Sequence, residues 1–358
     1  MLSRRALLLT LAATHRAPRA AIAPAGAALQ FPADFGAHGA ARIEWWYVTG
    51  ELRGPATPVG FQITFFRAST GLAGPKESRF AARDIVFAHA AVTDLGARRL
   101  RHDQRVARAG FGIAEASPDD TQLTLRDWRL ERSDTAGQGS AYRAAAASVI
   151  AGFAFDLQLQ ATQPVLLQGR GGYSRKGPGR DEASRYYSEP QLAVRGTLAL
   201  DGKPAETSGR AWLDHEWSDS LLDRAAVGWD WIGMNLDGGA ALTAFRLRRA
   251  DGSTLWAGGS YRPAGGAVRD FAADEVVFVP GRTWLSAATR ARYPVEWQVA
   301  TPAGAFRVRA LLDDQELDSR ASVGSVYWEG LSQLDDEQGR RLGRGYLEMT
   351  GYAGRLQL

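Results

Sequence analysis

The chain has 358 residues, 45% of them hydrophobic and 23% charged, the composition of a globular protein with room for two domains. Its formal net charge is only +4, and arginines and acids are interspersed along it, which argues against nucleic acid as a partner. The absence of cysteine excludes disulfides, thiolate metal sites and cysteine nucleophiles together.

In chain order, Met1-Leu2-Ser3-Arg4-Arg5 precedes a short apolar run from Ala6 to Ala13. A basic start followed by an apolar stretch is the layout of a bacterial export signal, here of twin-arginine form, so residues 1–28 are set aside from the fold and a periplasmic or secreted location is expected. Downstream, no apolar run approaches the roughly 20 residues of a membrane-spanning helix. The recurring pattern is period-two alternation between Gly, Pro, Asp or Asn, which predicts many short antiparallel strands and little helix. Phe61, Ile63 and Phe65 share one face; so do Leu123 and Leu125, and Phe155, Leu157 and Leu159. Later rows are Tyr293, Val295, Trp297 and Val299, then Phe306, Val308, Ala310 and Leu312. Turns are expected at Asp201-Gly202, Asp237-Gly238-Gly239 and Asp251-Gly252. Each strand must bury its apolar face against a second sheet or inside a closed barrel.

The chain also repeats itself loosely. Trp45 to Leu52, leading to Phe66-Arg67, has a counterpart in Trp229 to Leu236, leading to Phe245-Arg246. That predicts two copies of one β-barrel, residues 29–185 and 186–358, with the break in the aperiodic, Gly-rich stretch between Gly169 and Arg185.

Eleven tryptophans are dense for this length, and several are interleaved with ionisable groups: Glu44 beside Trp45 and Trp46, Asp214-His215-Glu216 between Trp212 and Trp217, and Asp230 between Trp229 and Trp231. In a wholly apolar core those carboxylates would be desolvated, whereas a barrel mouth or inter-barrel cleft accommodates both and makes a pocket for a hydrophobic ligand. The segment Asp214–Asp219 has the densest ionisable content, but Asp219 stands where an H-E-x-x-H metal helix needs its second histidine. With five histidines, no G-x-S-x-G elbow and no Gly-rich nucleotide loop, neither a metal nor a cofactor is expected.

The motifs Glu44–Gly50, Gly60–Arg67, Tyr186-Tyr187-Ser188, Gly209–Trp217 and Gly228–Trp231, in that order over nearly the whole mature chain, resemble the AttH-like, hydroxyneurosporene synthase family, which includes carotenoid 1,2-hydratases. The resemblance implies two tandem lipocalin-like barrels and a hydrophobic small molecule such as a terpenoid, polyene or lipid, and hints at an ABC exporter as partner. It maps the hydratase H-x-W motif onto His215 and Trp217, while Leu242-Thr243-Ala244-Phe245 occupies the place of a Tyr-x-Asp motif. Two functions follow. In one the chain is a cofactor-independent hydratase or hydrolase, with His215, Trp217, Asp214 and Glu216 as catalytic candidates. Glu44, Trp45, Trp46, Trp212, Trp229, Asp230 and Trp231 would surround the ligand. In the other it is a non-catalytic lipid or terpenoid carrier.

Overall fold

Alternation in the sequence becomes strand almost throughout. In the computed structural model, residues 28–53, 57–72, 80–135, 139–179, 181–220 and 222–355 are described, so residues 1–27 of the expected export signal lie outside them. Two large antiparallel sheets account for most of the chain, and the first curls into a nearly closed barrel. Among the described residues no helix is long and apolar enough to cross a membrane. The fold is all-β, two tandem lipocalin-like barrels.

In the first sheet the strand Ile43–Arg53 pairs on one side with Pro58–Ser69, its successor, and on the other with Lys203–Ser218, the last strand of that sheet. The second sheet repeats the plan: Gly228–Leu236 lies between its successor Ala241–Arg248 and the last strand Arg341–Met349. Pairing first strand with last is what rolls a sheet into a barrel. The repeat also carries a buried ion pair, Glu44 with Arg67 opposite it and Asp230 with Arg246 opposite it, at 3.0 and 2.8 Å. Thus Glu44 corresponds to Asp230 and Trp45 to Trp231, a register two residues away from the Trp45–Trp229 match read in the sequence.

Barrel interiors are filled by the expected faces. Phe61, Ile63, Phe65, Leu123, Leu125, Phe155, Leu157 and Leu159 pack in the first, and Tyr293, Val295, Trp297, Val299, Phe306 and Val308 in the second. At Asp201-Gly202 both residues have positive φ, 48° and 75°, the backbone of a tight hairpin turn matched to strand twist.

The change of sheet is displaced from the expected place. Ala183–Leu200 and Lys203–Ser218 both belong to the first sheet, so the chain crosses to the second between Ser218 and Gly228, beyond the 169–185 stretch. That stretch is aperiodic because its strand Tyr173–Arg175 is very short; it folds back onto Ala183–Leu200, as does Leu166–Leu167 just before it. The two barrels then meet along their first strands. Tyr47 and Trp212 pack with Trp231, Phe245, Leu331 and Tyr346, so both faces of these strands are buried. Gly60 permits this approach, since a Cβ there would lie 2.7 Å from the Tyr346 hydroxyl and 2.9 Å from Leu331 Cβ.

Candidate functional site

Because Lys203–Ser218 runs between barrel interior and barrel interface, strand parity divides the Asp214–Trp217 motif. Asp214 and Glu216 face the second barrel, whereas His215 and Trp217 face the interior of the first.

Inside the first barrel, His215 stacks on Trp46 with ring centroids 4.4 Å apart, and His38 stacks on Trp217 at 3.6 Å. Both imidazoles reach Glu44 Oε1, His38 Nδ1 at 2.7 Å and His215 Nε2 at 2.9 Å, while Arg67 Nε donates to Glu44 Oε2 at 3.0 Å. The far ring nitrogens are held by Asp34 and by the Tyr187 hydroxyl, each at 3.0 Å. Burial opposes ionisation of Glu44, but hydrogen bonds with His215 and His38 outweigh it and bring its carboxyl down to about 2. Burial lowers His215 to about 4, so it is neutral at physiological pH. His38, Glu44 and His215 have the composition of a two-histidine, one-carboxylate metal site, with ligand atoms within 4.8 Å of one another. Here, however, Arg67 already balances the carboxylate, and both ring nitrogens and the His38 backbone N–H occupy its oxygens. A divalent ion would have to displace those bonds.

Between the barrels lies a half-open cleft enclosing about 1100 Å³ of atom-free space, part of it open solvent. Trp45, Phe66 and Phe87 form its first wall, three rings on adjacent strands in register; Trp229, Trp231, Phe245 and Leu247 form the facing wall. Four carboxyl groups open into this aromatic space: Asp214 and Glu216 from the first barrel, Glu329 and Glu348 from the second. Glu329 and Glu348 are directly opposite each other on neighbouring strands. Burial lifts Asp214 to about 7, against the lowering effect of hydrogen bonds from Ser188 Oγ at 2.5 Å and Trp212 Nε1 at 2.7 Å. Burial likewise lifts Glu348 to about 7, with the charges of Asp214 and Glu216 adding to the effect. Glu329 is held well above the usual carboxylate range by burial and by Glu348, and it accepts a 2.9 Å hydrogen bond from Gln62. Beside Glu216 the Lys176 ammonium lies 2.9 Å away, and Ser184 donates a hydrogen bond to the carboxylate. Lys176 also sits over the rings of Tyr186 and Phe245, at 4.7 and 4.4 Å from their centroids. His89 lines the cleft too; burial drops it to about 3, and its ring bonds to Tyr327 and Ser322.

Of the residues singled out in the sequence, Asp214, Glu216, Trp45, Trp229 and Trp231 therefore line the cleft. Trp212 braces Asp214 from behind. Glu44, Trp46, His215 and Trp217 cluster inside the first barrel, and Asp230 inside the second, where Arg246 and the Tyr352 hydroxyl bond it. Lys176, Glu329, Glu348 and His89 were not anticipated. A signal for the last three existed in the apolar runs that they interrupt, Phe87-Ala88-His89-Ala90, Tyr327-Trp328-Glu329-Gly330 and Tyr346-Leu347-Glu348-Met349. Of Leu242–Phe245, only Phe245 reaches the cleft.

The AttH-like family profile matches residues 22–352. The chain is similar to a putative AttH from Nitrosomonas europaea, with 47% identity and a TM-score of 0.84 over 92% of this chain and 100% of that one. It is also similar to kievitone hydratase from Nectria haematococca, with 15% identity and a TM-score of 0.67 over 91% and 94%. At that identity the likeness is one of fold. No curated protein sequence matches. With the profile covering most of its length, the chain belongs to the AttH-like family.

Proposed function

We propose that the inter-barrel cleft binds an apolar, alkene-bearing small molecule of terpenoid or polyene type and adds water to it without a cofactor. The observation that carries this reading is the placement of Asp214 and Glu348, both raised to about 7, among aromatic faces. Hydration of an isolated alkene needs a neutral acid, a surface that stabilises a tertiary cation and a positioned water. Asp214 gives its proton to the less substituted alkene carbon, forming the C–H bond and leaving the cation on the other carbon. Trp45, Trp229 and Trp231 face that cation, and water adds to it. The oxonium proton then passes to Glu216 and is relayed back to Asp214, so acid and water are balanced. His215 and Trp217 hold the first barrel together under this assignment, and the segment 1–28 directs export.

The alternative is a carrier that binds the same ligand without chemistry, for delivery to an ABC exporter. It is favoured by Leu242–Phe245, which supplies the cleft with a phenylalanine and no acid. The test is to identify the co-purifying ligand by native mass spectrometry, then incubate it with the protein in ¹⁸O-water. Label incorporation that falls by roughly 10²–10⁴ in Asp214→Asn, with ligand affinity retained, is the expected result. Tight binding with no incorporation would leave the carrier.

A further inference from the structure

We propose that one end of the first barrel docks onto an anionic lipid surface, with Val149 and Ile150 as the inserted tip. These residues cap the turn between Gly139–Ser148 and Phe153–Gln160, and their side chains are 99% and 96% exposed. The turn does not need them. It is closed by Gly152 N–H to Ser148 O at 3.0 Å and by Ala151 N–H to Ser148 Oγ at 3.1 Å. Two adjacent aliphatic side chains in water at a projecting turn serve no packing purpose, and water is a poor solvent for them.

The surroundings of the tip supply the charge. Arg101 bonds Gly152 O at 3.2 Å and pairs with Asp201 and Asp94; Arg105 bonds Ala147 O at 3.0 Å and pairs with Asp127. These contacts draw the turns 126–127, 149–152 and 201–202 to the same end of the barrel, and they set two arginines against the three aspartates there, with Arg101 shared between Asp94 and Asp201. Arg98, Arg99, Arg126 and Lys203 remain exposed there, with no ion pair among the described residues. Arg126 N–H bonds Ile113 O at 2.7 Å, which adds the exposed Ile113 and its neighbour Phe111 to the rim; Glu115 is the acid beside them. The Asp201 carboxylate also feels Arg99 and Lys203, so the rim carries an excess of cations and not a set of isolated ones. An apolar tip ringed by such an excess fits phosphate headgroups above an acyl layer. It fits a protein less well, because a convex turn this small falls far short of the roughly 1,000 Å² that a specific protein interface buries. Docked in this way, the barrel stands at the phase in which an apolar ligand would dissolve, although the inference does not depend on the chemistry of the cleft.

The test is sedimentation of the full chain with vesicles of phosphatidylcholine mixed with phosphatidylglycerol, against vesicles of phosphatidylcholine alone. The expected result is preferential binding to the anionic vesicles, weakened by salt. Val149→Asp with Ile150→Asp should lower that binding roughly tenfold or more, and Arg126→Gln and Lys203→Gln roughly fivefold each. Since all four side chains are exposed, the melting temperatures should stay at the wild-type value. Equal partition to both kinds of vesicle would overturn the proposal, as would binding that the tip substitutions leave intact, which would place it in residues 1–27. Absence of binding by the wild type would overturn it in favour of a protein partner.

Discussion

Asp214→Asn should make the protein more stable at neutral and alkaline pH. In the native state burial raises this carboxyl to about 7 from an ordinary 3.8, so between those values the folded chain holds a proton that the unfolded chain has released. Stability therefore falls as pH rises through that window. A displacement of about three pH units corresponds to about 4 kcal/mol, fully developed only above pH 7. Asparagine is nearly isosteric, and its amide oxygen can still accept from Trp212 Nε1 and Ser188 Oγ, so the packing cost is small. Urea unfolding from about pH 4 to about pH 8 should show the two proteins close together at the acid end, with the variant pulling ahead as pH rises. Parallel curves, or a variant less stable than wild type at the alkaline end, would show that the fold does not keep Asp214 protonated and would remove the acid from the proposed chemistry.

Glu44 has the opposite sign. Held at about 2, it stabilises the fold above its ordinary value of 4.5, and that stability is lost as pH falls toward 2. Glu44→Gln should cost about 3 kcal/mol at neutral pH by uncoupling the buried Arg67, and should flatten the acid limb of the stability curve; an unchanged limb in chemical denaturation would contradict this. Gly60→Val should push the Tyr346 hydroxyl and Leu331 apart from the first barrel, costing about 1–3 kcal/mol by calorimetry, and a neutral result would mean that the barrels separate easily. His215→Gln should lower the melting temperature while leaving affinity for the co-purified ligand within about twofold, since His215 faces the first barrel's interior. Loss of affinity without loss of stability would move the ligand into that barrel.

Local pattern was sufficient for much of the molecule. Period-two alternation carries the side chains of Phe61, Ile63 and Phe65 to one face whatever the neighbouring strand is, and the same holds for Tyr293, Val295 and Trp297; the barrel interiors follow from it. The repeated aromatic strand and its distant arginine foretold two barrels of one plan, because the first strand of each carries the same ion pair to its successor. Alternation also separates Asp214 and Glu216 from His215 and Trp217. What it does not reveal is which of those faces borders a cleft and which a packed interior. Gln62 and Thr64 alternate with Phe61, Ile63 and Phe65 and so lie on the opposite, polar face of the strand, yet both are buried, because the second barrel covers them. The crossing after Ser218 was likewise illegible, since hydrogen-bonding partners and not composition assign Ala183–Leu200 and Lys203–Ser218 to the first sheet. Glu329 and Glu348 lie more than a hundred residues beyond Asp214 and Glu216, and only the meeting of the two barrels brings the four carboxyls into one aromatic space. Side-chain direction is a property of neighbouring residues, whereas burial, and with it the protonation of a carboxyl, is set by whatever distant strand closes over that face.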